Sequence, residues 1–461
     1  MRRTRSRSFP VLMLTIMFFA GIIYFLVNLS FHASEWVSMP YNGHLSDSTG
    51  LEFAGEITDR NGVVLARSED KKRFYNDDTD IRCACLPVVG DDSVNISTAI
   101  QTLYRSELSG YDFIFGLGMP DQLKKGNDIQ LTIDSNAQVA AYHALGDRKG
   151  AVVVYNYKTG EILCMASTPV YDPMNKPDDI ETNEMYDGVY LNRAVSASYT
   201  PGSTFKLVTA AAALEKDPAF EYREYDCSGS TEIGGKPINC FSVSGHIDMK
   251  GALRDSCNAY FAGLALEVGR LDMSVQAANM GFGKSWKFDG IQTARSIYDI
   301  SSANDNDLGW SGVGQYTVLE TPINMAIRTS AIANRGECVV PHIIKNIEGE
   351  GVKSFVDDSS KPERMMTRET AGKLKEMMDY TVYENYGKWS FSGSLDVCAK
   401  TGTAEVGDDG IAHAWVTGFT KDDDCPLAFA VIVEHGNSGS GVAIPVASAV
   451  LNVVADNLRN R

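Results

Sequence analysis

An uncharged apolar run near the N-terminus is the feature that most constrains how this chain can fold. It extends from Val11 to Leu29, close to the roughly 20 residues that a helix needs to cross a bilayer. Four arginines precede it, and such a basic flank stays in the cytoplasm. We expect residues 1–36 to form a cytoplasmic tail and a single transmembrane anchor, with the rest of the chain outside. The alternative is a cleavable signal peptide, whose apolar core is normally only about 7–15 residues long.

The composition narrows the class of protein that follows the anchor. Of the 461 residues, 44% are hydrophobic and 22% are charged, which is typical of a globular protein. The net charge is −17, and no basic stripe is present to follow a phosphate backbone. Nucleic acid is therefore not an expected partner.

The nine cysteines all follow the apolar run. Their odd number means that at least one is free or pairs with another chain. Cys227 and Cys240 flank a short polar segment rich in glycine that predicts a hairpin, which makes them the best candidates for a disulfide. Cys83 and Cys85 are too close in sequence for an ordinary zinc pair, and no two histidines are spaced at i and i+4. The sequence predicts no metal site and no cofactor.

The order of predicted elements indicates an α+β fold. Residues 37–124 are expected to form a small N-terminal module, and residues 125–461 a larger domain. The larger domain begins with a helix and two strands and ends with two more strands and a helix that starts near Pro445. Strands at both ends with helices between them predict one sheet covered by helices. The pairing of the first strands with the last cannot be predicted from these patterns.

The segment TPGSTFK, residues 200–206, begins a helical run that is apolar on almost every side. Ser203 and Lys206 are three residues apart and therefore share one helix face. Free N–H groups at a helix start can stabilise an oxyanion. Burial would lower the pKa of the lysine, so that a neutral amine can take the serine proton. This pair suits acyl transfer, but a helix-capping serine beside a surface lysine is the open alternative.

Two further motifs follow in order. Residues 256–258 (SCN) lie on a bend between two predicted helices, where both polar side chains can turn inward. Residues 400–403 (KTGT) precede the final strands, where a lysine and hydroxyls can hold a carboxylate and a glycine allows close backbone approach. Each motif is weak by itself, because residues 68–71, 93–95, 302–304 and 158–160 match the same patterns. The ordered set is far more specific.

This ordered set resembles the Ser-x-x-Lys, Ser-x-Asn and Lys-Thr-Gly motifs of the penicillin-binding proteins and serine β-lactamases. Residues 131–175, 192–194 (NRA) and 413–415 (HAW) are similar to pieces of the transpeptidase domain, and residues 55–62 (GEITDRNG) are typical of the family's smaller module. The resemblance implies a class B, monofunctional protein. Its expected fold is a mostly antiparallel sheet with helices on both faces, a small N-terminal module and a transmembrane helix.

The resemblance also implies a role for each motif residue. Ser203 would be the nucleophile that forms the acyl-enzyme, Lys206 its general base, and Ser256 the relay that carries a proton to the leaving amine. The residues expected to bind and orient the substrate are Asn258, Lys400, Thr401, Gly402 and Thr403. Two positions depart from the family pattern. Cys257 stands where class A β-lactamases have Asp, and Glu405 where Gln is frequent.

The implied activity is peptidoglycan D,D-transpeptidation, inhibited by β-lactams. A stem peptide ending in D-Ala-D-Ala would acylate Ser203, and an amine from a neighbouring stem would accept the acyl group. The stretch between anchor and transpeptidase region is too short for a glycosyltransferase domain, so a polytopic membrane glycosyltransferase is the expected partner. A D,D-carboxypeptidase, a β-lactamase and a non-catalytic β-lactam-binding protein remain alternatives. No deacylating base can be placed from the sequence, and little chain precedes the anchor to hold a signalling domain.

Overall fold

The computed structural model describes residues 2–38, 51–109, 126–348, 361–391, 393–405 and 411–460. Within these residues, helices α1 to α14 are, in chain order, Arg2–Ser38, Thr79–Val89, Ile100–Leu103, Arg105–Leu108, Ser135–Leu145, Arg193–Ser196, Lys206–Lys216, Met249–Arg254, Asn258–Val268, Arg270–Asn279, Asp305–Gly312, Pro322–Ala333, Arg368–Thr381 and Ile444–Arg459.

Strands β1 to β18 are, in chain order, Ile57–Thr58, Val64–Glu69, Lys72–Tyr75, Asp128–Leu131, Gly150–Asn156, Ile162–Thr168, Tyr225–Cys227, Ser230–Ile233, Lys236–Asn239, Gly245–Ile247, Lys287–Phe288, Ile291–Gln292, Glu337–Cys338, Ile344–Glu348, Glu363–Arg364, Val397–Glu405, Ala412–Thr420 and Leu427–Val433.

The central sheet joins the beginning of the large domain to its end. Its order is β16-β17-β18-β5-β6, and every neighbouring pair is antiparallel. Strand β18 lies between β17 and β5, with Leu427 opposite Asn156. This pairing of early and late strands is the feature that the sequence patterns leave open.

Helices cover the central sheet on both faces. Successive residues of β5 point to opposite sides, so Val152 and Val154 pack in one apolar cluster with residues of α5 and α14. Ala151 and Val153 pack in the other cluster with residues of α7, α9 and α12. Because both faces are covered, every residue of β17 and β18 is buried. The predicted α+β class, with helices on both faces of one antiparallel sheet, is confirmed.

The small N-terminal module is built on a second five-stranded sheet, of order β14-β4-β1-β2-β3. Strands β1 and β2 are antiparallel, as the Asn61-Gly62 turn predicts. Strands β4 and β14 come from the region assigned to the large domain, so the two parts share this sheet. Arg82 of the module also forms an ion pair at 2.7 Å with Asp172. The predicted boundary between residues 124 and 125 lies outside the described residues.

The apolar N-terminal run forms part of the long helix α1. Its section Phe9–Leu29 is long and apolar enough to cross a membrane, and none of it is buried against the rest of the protein. A second helical stretch, Gly439–Arg459, meets the same length and composition criteria. Its apolar residues, among them Val450 and Leu451, are buried in the core beside the central sheet. The second stretch is therefore explained as a core helix.

Candidate active site

Ser203 lies in a tight turn that is pressed against the edge strand of the central sheet. The 3₁₀ turn Gly202–Phe205 leads directly into α7. Gly202 has φ +53°, and a Cβ atom there would lie 2.5 Å from the carbonyl oxygen of Thr403 in β16. A Cβ at Gly402 would lie 2.7 Å from the carbonyl oxygen of Pro201. We call the turn Gly202–Phe205 the serine turn and β16 the lysine strand. Only glycine at both positions allows the two segments to approach this closely.

The Lys206 amine stands at the centre of the site and is completely buried. Its Nζ lies 3.0 Å from Ser203 Oγ, 3.1 Å from Ser256 Oγ, 2.6 Å from the Ser256 carbonyl oxygen and 2.7 Å from Asn258 Oδ1. Asn258 is itself oriented, because its Nδ2 donates to the Asn239 carbonyl oxygen at 2.8 Å. The residues of the first two motifs therefore meet at one nitrogen atom.

A count of protons around this nitrogen defines what the amine can do. The carbonyl oxygen of Ser256 and Oδ1 of Asn258 can only accept hydrogen bonds. In a neutral lysine the two N–H groups satisfy these two oxygens, and the remaining lone pair can face the hydroxyl of Ser203. In that state the hydroxyl donates to the amine, which is the arrangement that a general base requires.

The surroundings of Lys206 favour this neutral form. Burial lowers its pKa well below 10.5, and the nearby positive charge of Lys400 lowers it further. The thiols of Cys257 and Cys240 act weakly in the opposite direction. Desolvation penalises the charged amine because a low-dielectric interior stabilises charge poorly. The pKa reduction expected from the sequence thus has two identified causes.

Ser256 connects the two lysines of the site. It follows α8 on a bend and has φ +55°, a left-handed conformation that is uncommon for a residue other than glycine. This bend turns its hydroxyl inward, where Oγ contacts both Lys206 Nζ and Lys400 Nζ at 3.1 Å. The inward turn that the sequence predicts for this motif is present. A hydroxyl between two amines can pass a proton from one side of the site to the other.

The lysine strand carries the remaining predicted residues. Lys400 is buried, and its Nζ also donates to the Thr401 carbonyl oxygen at 3.0 Å. Tyr386, which the sequence motifs did not indicate, holds Thr401 through two contacts. Its hydroxyl accepts from the Thr401 N–H at 2.9 Å and lies 2.8 Å from Thr401 Oγ1. Tyr386 therefore fixes the orientation of the threonine expected to bind a carboxylate.

The buried ion pair between Arg328 and Glu320 stabilises the serine turn. Arg328 Nε and Glu320 Oε1 are 2.6 Å apart, and both side chains are fully buried. Arg328 Nη2 also donates to the Thr204 carbonyl oxygen at 3.2 Å. On the other side, Trp415 Nε1 donates to the Thr200 carbonyl oxygen at 2.9 Å. The turn that presents Ser203 is thus held by side chains from α12 and β17, far away in sequence.

A pocket of about 330 Å³ opens above Ser203. Its walls combine three predicted site residues, Ser203, Asn258 and Thr403, with side chains that no motif indicated. The lining residues are Ser203, Asn239, Cys240, Phe241, Asn258, Trp310, Val313, Gln315, Thr403 and Glu405. Glu405, noted in the sequence only as a departure from the family pattern, contributes a carboxylate to this wall. Ser203 is 7% exposed, so the hydroxyl is recessed but borders an open cavity.

Cys227 and Cys240 lie together, as the hairpin predicts, but a third cysteine joins them. Their sulfurs are 3.8 Å apart, and Cys257 Sγ lies 3.7 Å from Cys240 Sγ. All nine cysteines are unbonded thiols in the structure. The contact with Cys257 lowers the pKa of Cys240 to about 5, with help from the backbone N–H of Ala259, and raises that of Cys257. The Cys227–Cys240 disulfide stays a prediction.

Residues 150–452 match the family described as penicillin binding protein transpeptidase domain. Among curated proteins, the chain is similar to the peptidoglycan D,D-transpeptidase PbpA of Mycolicibacterium smegmatis. The two are 29% identical over 410 residues, which cover 80% of this chain and 82% of the relative.

The chain is also similar to solved structures of penicillin-binding proteins. A ceftriaxone acyl-enzyme complex of penicillin-binding protein A from M. tuberculosis has a TM-score of 0.77 and 26% identity, covering 88% of this chain and 99% of that one. The D,D-transpeptidase domain of a peptidoglycan glycosyltransferase from Eggerthella lenta has a TM-score of 0.74 and 28% identity, covering 87% of this chain and 98% of that one.

Proposed function

The chain belongs to the penicillin-binding proteins that carry a transpeptidase domain, and on that premise we propose that it cross-links peptidoglycan stem peptides through an acyl-enzyme on Ser203. It is a serine-type D,D-transpeptidase. The observation that carries the assignment of the site is the position of the Lys206 amine. It contacts the hydroxyls of Ser203 and Ser256 and the amide oxygen of Asn258 simultaneously.

Acylation begins with the proton of Ser203. The neutral Lys206 amine takes this proton as Oγ attacks the carbonyl carbon of the penultimate D-Ala. The resulting oxyanion is stabilised by the backbone N–H groups of Ser203 and Thr403. When the peptide C–N bond breaks, the leaving D-Ala nitrogen needs a proton. Ser256 supplies it and is reprotonated by Lys206, with which it is in contact.

Deacylation runs through the same groups in reverse. An amine of a neighbouring stem peptide enters the pocket, loses a proton to Lys206 through Ser256, and attacks the acyl carbon. The ester bond to Ser203 breaks, and Oγ recovers its proton from Lys206. A penicillin that occupies the donor site acylates Ser203 in the same way, but its leaving nitrogen stays tethered within the acyl group.

Recognition of the donor depends on its terminal carboxylate. Lys400 supplies positive charge, and the hydroxyls of Thr401 and Thr403 donate hydrogen bonds to the carboxylate oxygens. Asn258 orients both the scissile amide and the Lys206 amine. Gly402 keeps the lysine strand close to the serine turn. The same groups accept the carboxylate of a β-lactam.

The N-terminal helix α1 supports a location of this chemistry at the cell membrane. We propose that α1 crosses the membrane once with its basic end in the cytoplasm, so that the catalytic domain faces the peptidoglycan. The apolar, unburied section Phe9–Leu29 supports this topology, and the arginines that precede it support the orientation. A polytopic membrane glycosyltransferase is the partner we propose for supplying polymerised strands.

Mass spectrometry of the protein after penicillin treatment tests the nucleophile directly. We expect a single penicilloyl adduct on Ser203, absent in Ser203→Ala. The matched control is Ser68→Ala, because Ser68 heads a second Ser-x-x-Lys sequence and its hydroxyl donates to the Leu51 carbonyl oxygen. An adduct that persists in Ser203→Ala would refute the assignment.

The reaction type requires a substrate assay. With a stem peptide ending in D-Ala-D-Ala and an amine acceptor, we expect D-Ala release together with a cross-linked product. D-Ala release without cross-linked product would indicate a carboxypeptidase. Sustained nitrocefin turnover would indicate a β-lactamase. Penicillin binding without either product would indicate a binding protein.

A further inference from the structure

Three thiols converge beside the catalytic bend from separate segments of the chain. Cys227 ends β7, Cys240 follows β9, and Cys257 caps the start of α9. Cys240 lies in the middle, with its sulfur 3.8 Å from that of Cys227 and 3.7 Å from that of Cys257. All three sulfurs lie within 4.8 Å of one another. No step of the transpeptidation mechanism uses them.

The spacing of these sulfurs suits a metal ion better than it suits a disulfide. A tetrahedral zinc ion has Zn–S bonds of about 2.3 Å, which place its sulfur ligands about 3.8 Å apart. Two of the three distances have this value. A disulfide would require one pair to approach to about 2.05 Å and would leave the third sulfur without a bond.

Each sulfur also accepts a backbone hydrogen bond, as metal-bound thiolates commonly do. The donors are Gly229 N–H to Cys227 at 3.4 Å, Ala259 N–H to Cys240 at 3.2 Å and Tyr260 N–H to Cys257 at 3.4 Å. Two of these donors belong to the first turn of α9, whose positive end stabilises negative charge. These hydrogen bonds orient the sulfurs and lower the cost of holding them as thiolates.

We propose that Cys227, Cys240 and Cys257 bind a thiophilic divalent cation of the zinc type, with its fourth position open toward the active-site pocket. Access supports this geometry. Cys227 and Cys257 are buried, whereas Cys240 is partly exposed and lines the pocket above Ser203. A water molecule can therefore complete the tetrahedron from the pocket side. This proposal departs from two expectations from the sequence, namely that no metal is bound and that Cys227 and Cys240 form a disulfide.

The metal site would stiffen the catalytic bend. Cys257 stands between Ser256 and Asn258, so a metal bond to its sulfur ties this bend to the segment after β9. The hydrogen bond from Asn258 Nδ2 to the Asn239 carbonyl oxygen, at 2.8 Å, joins the same two segments. Loss of the metal should leave that hydrogen bond as the main link, and acylation of Ser203 should become slower without being abolished.

The test uses the full-length protein in detergent, purified under anaerobic conditions without chelators. Elemental analysis should find one zinc-type ion per chain. After exchange with Co²⁺, we expect the visible bands of a tetrahedral cobalt site and a thiolate charge-transfer band. Cys240→Ser and Cys227→Ser should each weaken Co²⁺ binding on the order of 100-fold. Cys83→Ser, which changes a buried cysteine in α2, should leave both the stoichiometry and the bands unchanged.

Three results would overturn the assignment of a metal site. A purified chain without stoichiometric metal would overturn it, as would a disulfide between any two of the three cysteines found by peptide mapping. Cobalt bands that persist in Cys240→Ser would also overturn it. Cys227→Ser changes the ligand that is farthest in sequence from the catalytic bend, and its labelling by fluorescent penicillin shows whether the variant is folded. Metal content is measured independently of transpeptidase activity, so failure of one assignment does not imply failure of the other.

Discussion

Replacing Lys400 by alanine should move the pH dependence of acylation toward higher pH. Lys206 acts as a base only when it is neutral, so the acylation rate should rise as its ammonium loses a proton. The positive charge of Lys400 is one of the two causes that lower the pKa of Lys206. Removing that charge leaves burial as the remaining cause, so the pKa of Lys206 should rise and a larger fraction should be protonated at neutral pH.

The contact geometry gives the size of the change. Both lysine nitrogens lie 3.1 Å from the same Ser256 oxygen. The two nitrogens are therefore at most about 6 Å apart, and two positive charges at that distance repel each other by about 3 kcal/mol at an effective dielectric constant of about 20. A repulsion of this size is large enough to move the midpoint of the pH profile measurably, and its loss should move the midpoint to higher pH.

The assay measures the second-order rate constant for labelling by a fluorescent penicillin at a series of pH values, using stopped-flow or quenched-flow mixing. Lys400→Ala should also reduce the rate at every pH, because the β-lactam carboxylate loses a binding partner. The midpoint of the rising limb is therefore the decisive quantity. Lys400→Arg is the matched control, since it keeps the charge and should keep the midpoint near the value of the unmodified protein. A midpoint that is unchanged or lower in Lys400→Ala would refute the proposed electrostatic coupling.

Three further substitutions test the supports of the site. Gly202→Ala would place a Cβ 2.5 Å from a carbonyl oxygen of the lysine strand, and the displaced serine should be acylated about 100-fold more slowly. Tyr386→Phe removes two hydrogen bonds to Thr401, worth about 1 kcal/mol each, and should reduce acylation efficiency about 10- to 30-fold. Arg328→Met leaves the carboxylate of Glu320 buried without its cation and should lower the free energy of unfolding by about 3–5 kcal/mol. Replacing both members of that pair by apolar residues should recover most of this loss.

Each of these variants has a matched control. Gly372→Ala adds a Cβ in a helix where no atom lies within 4 Å, and it should leave acylation unchanged. Tyr383→Phe alters an exposed tyrosine near Tyr386 and should have no effect. Arg364→Met breaks an exposed ion pair, which costs about 1 kcal/mol or less. The explanations would be wrong if a control and its partner variant changed by similar amounts, measured by penicillin labelling and thermal unfolding.

The sequence predicted the reacting groups of the site because their spacing and order were visible in the chain. Ser203 and Lys206 share a helix start, and this local relation requires no knowledge of the fold. The convergence of Ser256 and Lys400 on Lys206 followed from resemblance, since nothing local relates positions so far apart. The sequence Lys158-Thr159-Gly160 also matches the lysine motif, but it forms the connection between β5 and β6.

The supports of the site could not be predicted from the sequence. Tyr386 and Arg328 lie in helical segments where an aromatic residue and a cation are ordinary, and their importance depends on what they face. The three sulfurs at Cys227, Cys240 and Cys257 have no recognisable metal spacing, because their proximity depends on how the strand pairs β7–β10 and β8–β9 pack against α9. Such contacts are decided by tertiary packing, which a single sequence reports only weakly.

The position of β18 in the middle of the central sheet has a consequence for how the enzyme matures. Strand β5 lies near the start of the large domain, but the central sheet cannot form completely until β18, residues Leu427–Val433, pairs with it. Pairing over so great a distance along the chain makes folding slow. A chain that lacks its last strands therefore also lacks the central partner that joins β5 to β17 and the lysine strand. Activity should therefore arise only after nearly all of the chain, including β18, has been synthesised and can fold.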